Sequence, residues 1–163
     1  MQNFKFFIKN FEEFVSGFFI VITVLVVILN VFLRYVFNMG IYWAEEVATI
    51  SFVWSVFIGA SATYKHRMNL GIDFLTKRGS QRTQTKVKFV VDMMLLMITG
   101  YIFYLSVIFT RVSSIKPTAV LGISSAYVNS ALMFGFGLMI IQTIFFLIQD
   151  LKDIKMLNYR GEE

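Results

Sequence analysis

Four long apolar blocks, separated by short charged segments, dominate the pattern of hydrophobic and polar positions along the chain. They cover residues 14–33, 47–64, 89–110 and 126–149. About 20 helical residues cross the ~30 Å hydrocarbon core of a bilayer, so each block is long enough or nearly long enough to span it. Uninterrupted blocks of this length do not fit the short alternating strands of a membrane β-barrel. The pattern therefore predicts an all-α integral membrane protein with four transmembrane helices, in a single domain over residues 1–163.

Two further segments carry apolar residues but are too polar to cross a bilayer. Near the start of the chain, four phenylalanines recur at helical spacing among charged residues: Phe4, Phe7, Phe11 and Phe14. This spacing predicts a short amphipathic helix over about residues 3–13, lying on the membrane surface. The second segment, residues 68–75, precedes a basic stretch. The sequence leaves open whether it also lies on the surface or is a mobile part of a cytoplasmic loop over residues 65–88.

Composition agrees with a membrane protein. Of the 163 residues, 57% are hydrophobic and 19 are Phe, whereas a soluble domain is about 45–50% apolar. The absence of cysteine excludes disulfides, thiolate metal sites and cysteine nucleophiles. The net charge of +5 lies in the gaps between the apolar blocks, which favours contact with membrane lipids and argues against nucleic acid.

The distribution of lysine and arginine predicts the orientation of the helices. Twelve of the fifteen Lys and Arg residues lie before the first block, between the second and third, or after the fourth. Arg34, Arg111 and Lys116 are the remaining three. Because cytoplasmic loops of membrane proteins carry an excess of basic residues, we expect both termini to be cytoplasmic.

Polar and aromatic residues concentrate where the first block ends and the second begins. This group consists of Arg34, Tyr35, Trp43, Glu45 and Glu46. Pairing of Arg34 with Glu45 or Glu46 is geometrically easy, since the connection is short and an arginine can grip a carboxylate through two hydrogen bonds. Three interpretations remain open: an aromatic and charged belt at the membrane surface, a contact with another protein, or a proton or cation relay.

A stripe of small residues runs along the second block at four-residue intervals: Ser51, Ser55, Gly59 and Thr63. Small residues at this spacing let two transmembrane helices approach closely. The spacing predicts a helix–helix interface, and it leaves open whether the partner helix belongs to this chain or to another.

Candidates for catalysis or cofactor binding are scarce. The polar residues deep in the apolar blocks, such as Thr23, Asn30 and Gln142, are explained by hydrogen bonds between helices. His66 is the only histidine and lies among basic residues at the end of a block, whereas a metal or haem site needs several ligands. We therefore expect neither an enzyme nor a cofactor of the chain's own.

Several motifs resemble those of a known family. The sequence Arg34-Tyr35-Val36-Phe37-Asn38, followed by Trp43-Ala44-Glu45-Glu46, resembles the small membrane subunit (DctQ/SiaQ type) of tripartite ATP-independent periplasmic (TRAP) transporters. The resemblance continues through Trp54, Phe57-Ile58-Gly59-Ala60, His66, Gly71-Ile72-Asp73, Leu121-Gly122-Ile123 and Tyr127. Two departures concern loops, at Ser124, where relatives often have proline, and at Met68-Asn69-Leu70, where relatives are shorter.

The resemblance implies a role in uptake. Such subunits form a heterodimer with a large permease subunit of the bacterial inner membrane, which carries substrate and sodium. A periplasmic binding protein delivers an organic acid, with sialic acid as the leading expectation and a C4-dicarboxylate as the other. The small subunit would brace the permease and add a docking surface. Two alternatives from other classes remain: a membrane anchor of a respiratory complex, and a small exporter that works alone.

The orientation predicts opposite results for two reporter fusions. A reporter joined after Glu163 should lie in the cytoplasm, and a reporter inserted after Lys116 should lie in the periplasm. This is expected because the basic segments of the chain stay in the cytoplasm. Paired alkaline phosphatase and green fluorescent protein fusions measure this directly. A C-terminus on the periplasmic side would contradict the predicted orientation.

Overall fold

Four helices make up the computed structural model, which describes residues 10–65 and 81–160. They are α1 (Phe11–Val36), α2 (Ala44–Lys65), α3 (Gln81–Ser113) and α4 (Ala126–Arg160). Each contains a stretch that is long and apolar enough to cross a membrane. The all-α fold with four membrane-spanning helices, predicted from the apolar blocks, is therefore confirmed.

The helices are longer than the apolar blocks that predicted them. Residues 81–88, expected in the cytoplasmic loop, form the first two turns of α3, and α4 continues to Arg160. Apolar length reports the hydrocarbon thickness, whereas a helix continues into water wherever its backbone hydrogen bonds remain favourable. At the other end of the chain, Phe11–Glu13 belong to the first turn of α1 and not to a separate surface helix. The rest of the predicted surface segment, and residues 66–80, lie outside the described residues.

The helices pack as a row in the order α1–α2–α4–α3. The main contacts of the described residues join α1 to α2, α2 to α4, and α4 to α3. α2 is the most buried helix, and its buried positions are small or moderate in size: Ala44, Ala48, Ser51, Ser55, Ile58, Ser61 and Ala62. α1, by contrast, has no buried residue. This order places α1 and α3 at opposite edges of the row.

Polar side chains hold α1 against α2. Ser16, Thr23 and Asn30 lie seven residues apart and therefore share one face of α1. The Ser16 hydroxyl donates to the Ser55 carbonyl at 3.0 Å, and the Thr23 hydroxyl lies 3.5 Å from the Ala48 carbonyl. In lipid, such hydrogen bonds join helices that have no hydrophobic driving force of their own.

Two glycines bring the neighbouring helices close to α2. A Cβ atom added to Gly59 would lie 2.7 Å from the Ser16 Oγ of α1. A Cβ atom added to Gly135 of α4 would lie 2.9 Å from both the Cβ and the carbonyl oxygen of Phe57. A side chain at Gly135 would collide with the backbone of Phe57, and one at Gly59 would displace the Ser16 hydroxyl from its hydrogen bond to the Ser55 carbonyl.

One tryptophan links three helices near the centre of the row. The Trp54 ring of α2 stacks on Phe19 of α1, with centroids 5.7 Å apart, and packs against Phe134 of α4 at 5.6 Å. Its Nε1 donates to the Tyr127 carbonyl in the first turn of α4 at 3.1 Å. Trp54 therefore fills the space between α1 and α4 and satisfies its own polar atom.

Candidate partner interface

The α1–α2 connection is held by backbone geometry and one amide side chain. Asn38 adopts a left-handed conformation with φ 53°, and the Met39 amide donates back to the Leu33 carbonyl at 3.2 Å. Asparagine tolerates this conformation at a helix end better than most residues do. The Asn30 Oδ1 accepts a hydrogen bond from the Ile41 amide at 2.8 Å. Asn30 thus ties the connection back onto α1.

The expected pairing of Arg34 with Glu45 or Glu46 is not formed among the described residues. Arg34 and Glu45 line one cavity of about 220 Å³ between α1 and α2, together with Val27, Asn30, Val31, Tyr35 and Ala44. The two charges share this space without an ion pair. Glu46 is one residue further along α2 and is directed elsewhere, because successive helical positions differ by about 100°.

Glu46 anchors the loop between α3 and α4. Its Oε2 accepts hydrogen bonds from the backbone amides of Val120 at 2.8 Å and Leu121 at 3.1 Å. Hydrogen bonds to an ionised acceptor are shorter and stronger than neutral ones. The carboxylate therefore fixes the tip of a loop that is more than 70 residues away along the chain.

The anchored loop has a defined shape. The Thr118 amide donates to the Ile123 carbonyl at 2.7 Å, and the Ser125 amide donates to the Lys116 carbonyl at 2.9 Å. Gly122 has a φ of 65°, which a residue with a side chain rarely adopts. The Ser124 hydroxyl donates to the Ser114 carbonyl at 2.9 Å. Serine at this position closes the base of the loop.

Arg34, Tyr35 and Trp43 stay available at this edge. Tyr35 is 80% exposed and Trp43 is 38% exposed, and the Arg34 side chain is exposed in the last turn of α1. Among the described residues these side chains make no hydrogen bond or ion pair. They are suited to contact lipid headgroups or another protein, as the sequence predicted, and that choice stays a prediction.

The middle of the small-residue stripe of α2 lies against α1 of the same chain, at Ser55 and Gly59. Ser51 and Ser55 are buried, and Ser55 and Gly59 pack against Ser16. The sequence left the identity of the partner helix open, and in the structure it is α1. Thr63 is exposed, and its hydroxyl donates to the Gly59 carbonyl at 3.0 Å. Thr63 is thus the member of the stripe that remains accessible to another chain.

A polar cluster that the sequence analysis missed joins α1, α2 and α4. The Gln142 Nε2 donates to the two Glu12 carboxylate oxygens at 3.1 and 2.9 Å. The Ser61 hydroxyl donates to Glu12 Oε2 at 3.2 Å, and Ser61 is completely buried. The sequence predicts a position on the membrane surface for Glu12, within residues 3–13, and a position inside the fourth span for Gln142. Both residues lie toward the same side of the membrane, each near one end of its apolar block. This shared position is the feature of the sequence that could have predicted their contact.

Metal binding has little support in the part of the chain that is described. Within residues 10–65 and 81–160, no three His, Cys, Asp or Glu side chains come close enough to hold a metal ion. The polar groups that do converge form hydrogen bonds within the chain. The arrangement therefore serves to position helices and loops.

Comparison with known proteins gives a consistent result. A family model described as the DctQ component of tripartite ATP-independent periplasmic transporters matches residues 23–153, from within α1 to within α4. The C4-dicarboxylate TRAP transporter small permease protein DctQ of Vibrio cholerae is 39% identical over 69 residues, covering 42% of this chain and 30% of that protein. A putative TRAP transporter small permease protein of Haemophilus influenzae is 36% identical over 72 residues, covering 44% and 45%. The aligned stretch thus spans less than half of each relative.

The anchoring role of Glu46 predicts a difference between two neighbouring glutamates. Glu46→Gln should make the amides of residues 116–125 exchange with solvent deuterium several-fold faster, because the two hydrogen bonds lose their charged acceptor. Glu45→Gln is the matched control, since the Glu45 side chain contacts neither loop amide. Hydrogen–deuterium exchange with mass spectrometry measures this in nanodiscs. Equal exchange in the two variants would contradict the anchoring role.

Proposed function

The chain belongs to the family of DctQ components of tripartite ATP-independent periplasmic transporters, and we therefore propose that it acts as the small permease subunit of such a transporter. As a family member with four apolar spanning helices, it is a multi-pass protein of the bacterial inner membrane. The observation that carries the proposal is the match over residues 23–153, which includes part of every helix in the row. Its partners would be a large permease subunit and a periplasmic binding protein.

Within that assembly the chain would act as a brace and not as the transport pathway. The polar groups of its membrane region are largely used internally, as in the Glu12–Ser61–Gln142 cluster and the hydroxyls of Thr99 and Ser106, which donate to their own helix. A transport pathway needs polar groups that are free to exchange partners. Sodium coupling would therefore reside in the large subunit, and this chain would need no cofactor of its own.

The proposed substrate is an organic acid. The name of the Vibrio cholerae relative favours a C4-dicarboxylate. Sialic acid, the leading expectation from the motifs, is the second candidate. Both substrates carry carboxylates, and the choice between them would reside mainly in the binding protein and the large subunit.

The exposed residues Arg34, Tyr35 and Trp43 would contribute to docking on the side where the α3–α4 loop is anchored. They lie at the α1–α2 edge, and Glu46 holds the loop close to the same helix. A positive charge without a partner among residues 10–65 and 81–160 is suited to meet an acidic group on the permease or the binding protein.

A reconstituted uptake assay tests the function. The chain is purified together with a large TRAP permease subunit from the same organism and placed in proteoliposomes under an inward sodium gradient. A periplasmic binding protein from that organism is then supplied. Radiolabelled succinate or sialic acid should accumulate only when all three proteins are present. Transport by this chain alone would favour the alternative of a small exporter. Full uptake in its absence would contradict the proposal that it is a required subunit of the transporter.

The same assay tests the docking edge. Arg34→Ala should lower the rate of uptake severalfold because one charged contact is lost, while the variant still inserts into membranes. Lys116→Ala is the matched control, since Lys116 is also an exposed cation on the same side of the membrane but lies in the α3–α4 connection, outside the proposed docking residues. Equal rates for the two variants would leave Arg34 as part of an ordinary interfacial belt.

A further inference from the structure

The two edge helices of the row differ in the side chains that they expose. On α3, one face carries Asp92, Thr99, Ser106 and Ser113, which lie seven residues apart and are all buried. Phe103 of this helix also contacts α4, because a Cβ atom added to Gly137 would lie 3.4 Å from its ring. α4 therefore covers the polar side of α3.

The opposite side of α3 is exposed and contains two tyrosines. This surface, which we call the tyrosine face, consists of Met94, Met97, Tyr101, Tyr104 and Ile108. Tyr101 is 64% exposed and Tyr104 is 61% exposed. Neither hydroxyl makes a hydrogen bond within residues 10–65 and 81–160. Two phenol groups thus lack a partner in the described part of the chain.

The depth of these tyrosines excludes water as their partner. The spanning part of α3 is Val87–Ser113, with Gly100 at its midpoint. At about 1.5 Å per residue, Tyr101 lies about 1.5 Å and Tyr104 about 6 Å from that midpoint along the helix, within a hydrocarbon half-thickness of about 15 Å. Helical side chains lean toward the N-terminus, which carries the Tyr104 hydroxyl back toward the midpoint. Neither phenol reaches the headgroups.

Lipid is a poor neighbour for such a surface. Acyl chains offer no hydrogen-bond acceptor, so a hydroxyl facing them stays unpaired, and an unpaired polar group in hydrocarbon is costly. Tyrosine in membrane proteins is instead enriched at the membrane surface, where the ring is apolar and the hydroxyl is hydrated. The tyrosine face therefore requires a protein neighbour that supplies acceptors.

α1, at the other edge, shows what a lipid-facing surface looks like. The polar residues Ser16, Thr23 and Asn30 turn toward α2 or its connection. Within residues 14–33 every exposed side chain is a hydrocarbon, and these side chains include Phe18, Val21, Val24, Leu25, Ile28, Val31 and Phe32. Lipid acyl chains can cover this surface without leaving any polar group unpaired. Of the two edges, α3 is the one that needs a partner.

We propose that the tyrosine face of α3 packs against a transmembrane helix of the large permease subunit, whose carbonyl or polar side-chain oxygens accept hydrogen bonds from Tyr101 and Tyr104. The proposal rests on the function proposed above, which supplies a large membrane partner. Gly100 lies beside this face, and an added Cβ there would meet no atom within 4 Å, so a partner helix has room to come close. Methionines on the same face adapt their shape to a neighbouring helix.

Photocrosslinking in membranes tests which edge meets the partner. Tyr101→p-benzoylphenylalanine is compared with Leu25→p-benzoylphenylalanine, which places the same probe near mid-membrane on α1. Both variants are co-expressed with the large subunit, and co-purification of the two chains is measured separately. The Tyr101 probe should give a crosslink to the large subunit, and the Leu25 probe should give none.

Each other outcome overturns the proposal in a distinct way. Co-purification with a crosslink only from Leu25 would assign docking to α1, and co-purification without any crosslink would assign both edges to lipid. Either result leaves the proposed function intact. A crosslink between two copies of the chain would assign the tyrosine face to self-association. Failure to co-purify, together with failure of uptake, would remove the proposed function as well.

Removing only the hydroxyls tests the chemistry of the contact. Tyr101→Phe combined with Tyr104→Phe should weaken the affinity for the large subunit about threefold per hydroxyl, roughly ninefold in total. Tyr127→Phe is the control, because Tyr127 is equally exposed but lies in the first turn of α4, where its hydroxyl reaches the membrane surface. Unchanged affinity in the double variant, with the chain itself equally stable, would show that no acceptor faces these hydroxyls.

Discussion

Inside a bilayer no water is available to pair with a polar group, and this constraint arranges the whole chain. Each helix satisfies its own backbone, so the arrangement depends on where the polar side chains find partners. On α1 they turn toward α2 and its connection, at Ser16, Thr23 and Asn30. On α4, Gln142 reaches across to Glu12 of α1 and to Ser61 of α2. The hydroxyls of Tyr101 and Tyr104 on the outer side of α3 have no partner among the described residues, and the proposed contact with the large permease subunit rests on them.

The row of helices follows from the character of α2. Its small side chains allow α1 to approach at Gly59, and Gly135 allows α4 to approach at Phe57. Trp54 of α2 then fills the space between α1 and α4. α3 is attached through α4 and keeps one side free. The row therefore has a closely packed centre at α2 and two edges of different chemistry, with hydrocarbon side chains on α1 and two exposed tyrosines on α3.

The sequence predicted the four spans well because hydrophobic length alone decides them. It could not predict the partners of individual polar residues, since these depend on which helices become neighbours. Glu46 is an example: nearness along the chain suggested Arg34, but the carboxylate binds the amides of Val120 and Leu121. The small-residue stripe of α2 predicted a close helix contact, and only the fold assigned it to α1. Glu12 lies in the predicted surface segment, and no local pattern links it to its partner Gln142, which is 130 residues away along the chain.

The separation of α1 and α3 tests the row most directly. The chain has no cysteine, so spin labels can be attached to Leu25→Cys and Met97→Cys without other changes. With helix axes about 8–10 Å apart, the row predicts roughly 20–30 Å between these two edge helices, measured by double electron–electron resonance in nanodiscs. A closed bundle that keeps the same three contacts would make these two helices neighbours, with axes about 8–10 Å apart. A distance near the shorter value would contradict the row and, with it, the assignment of α1 and α3 to opposite edges.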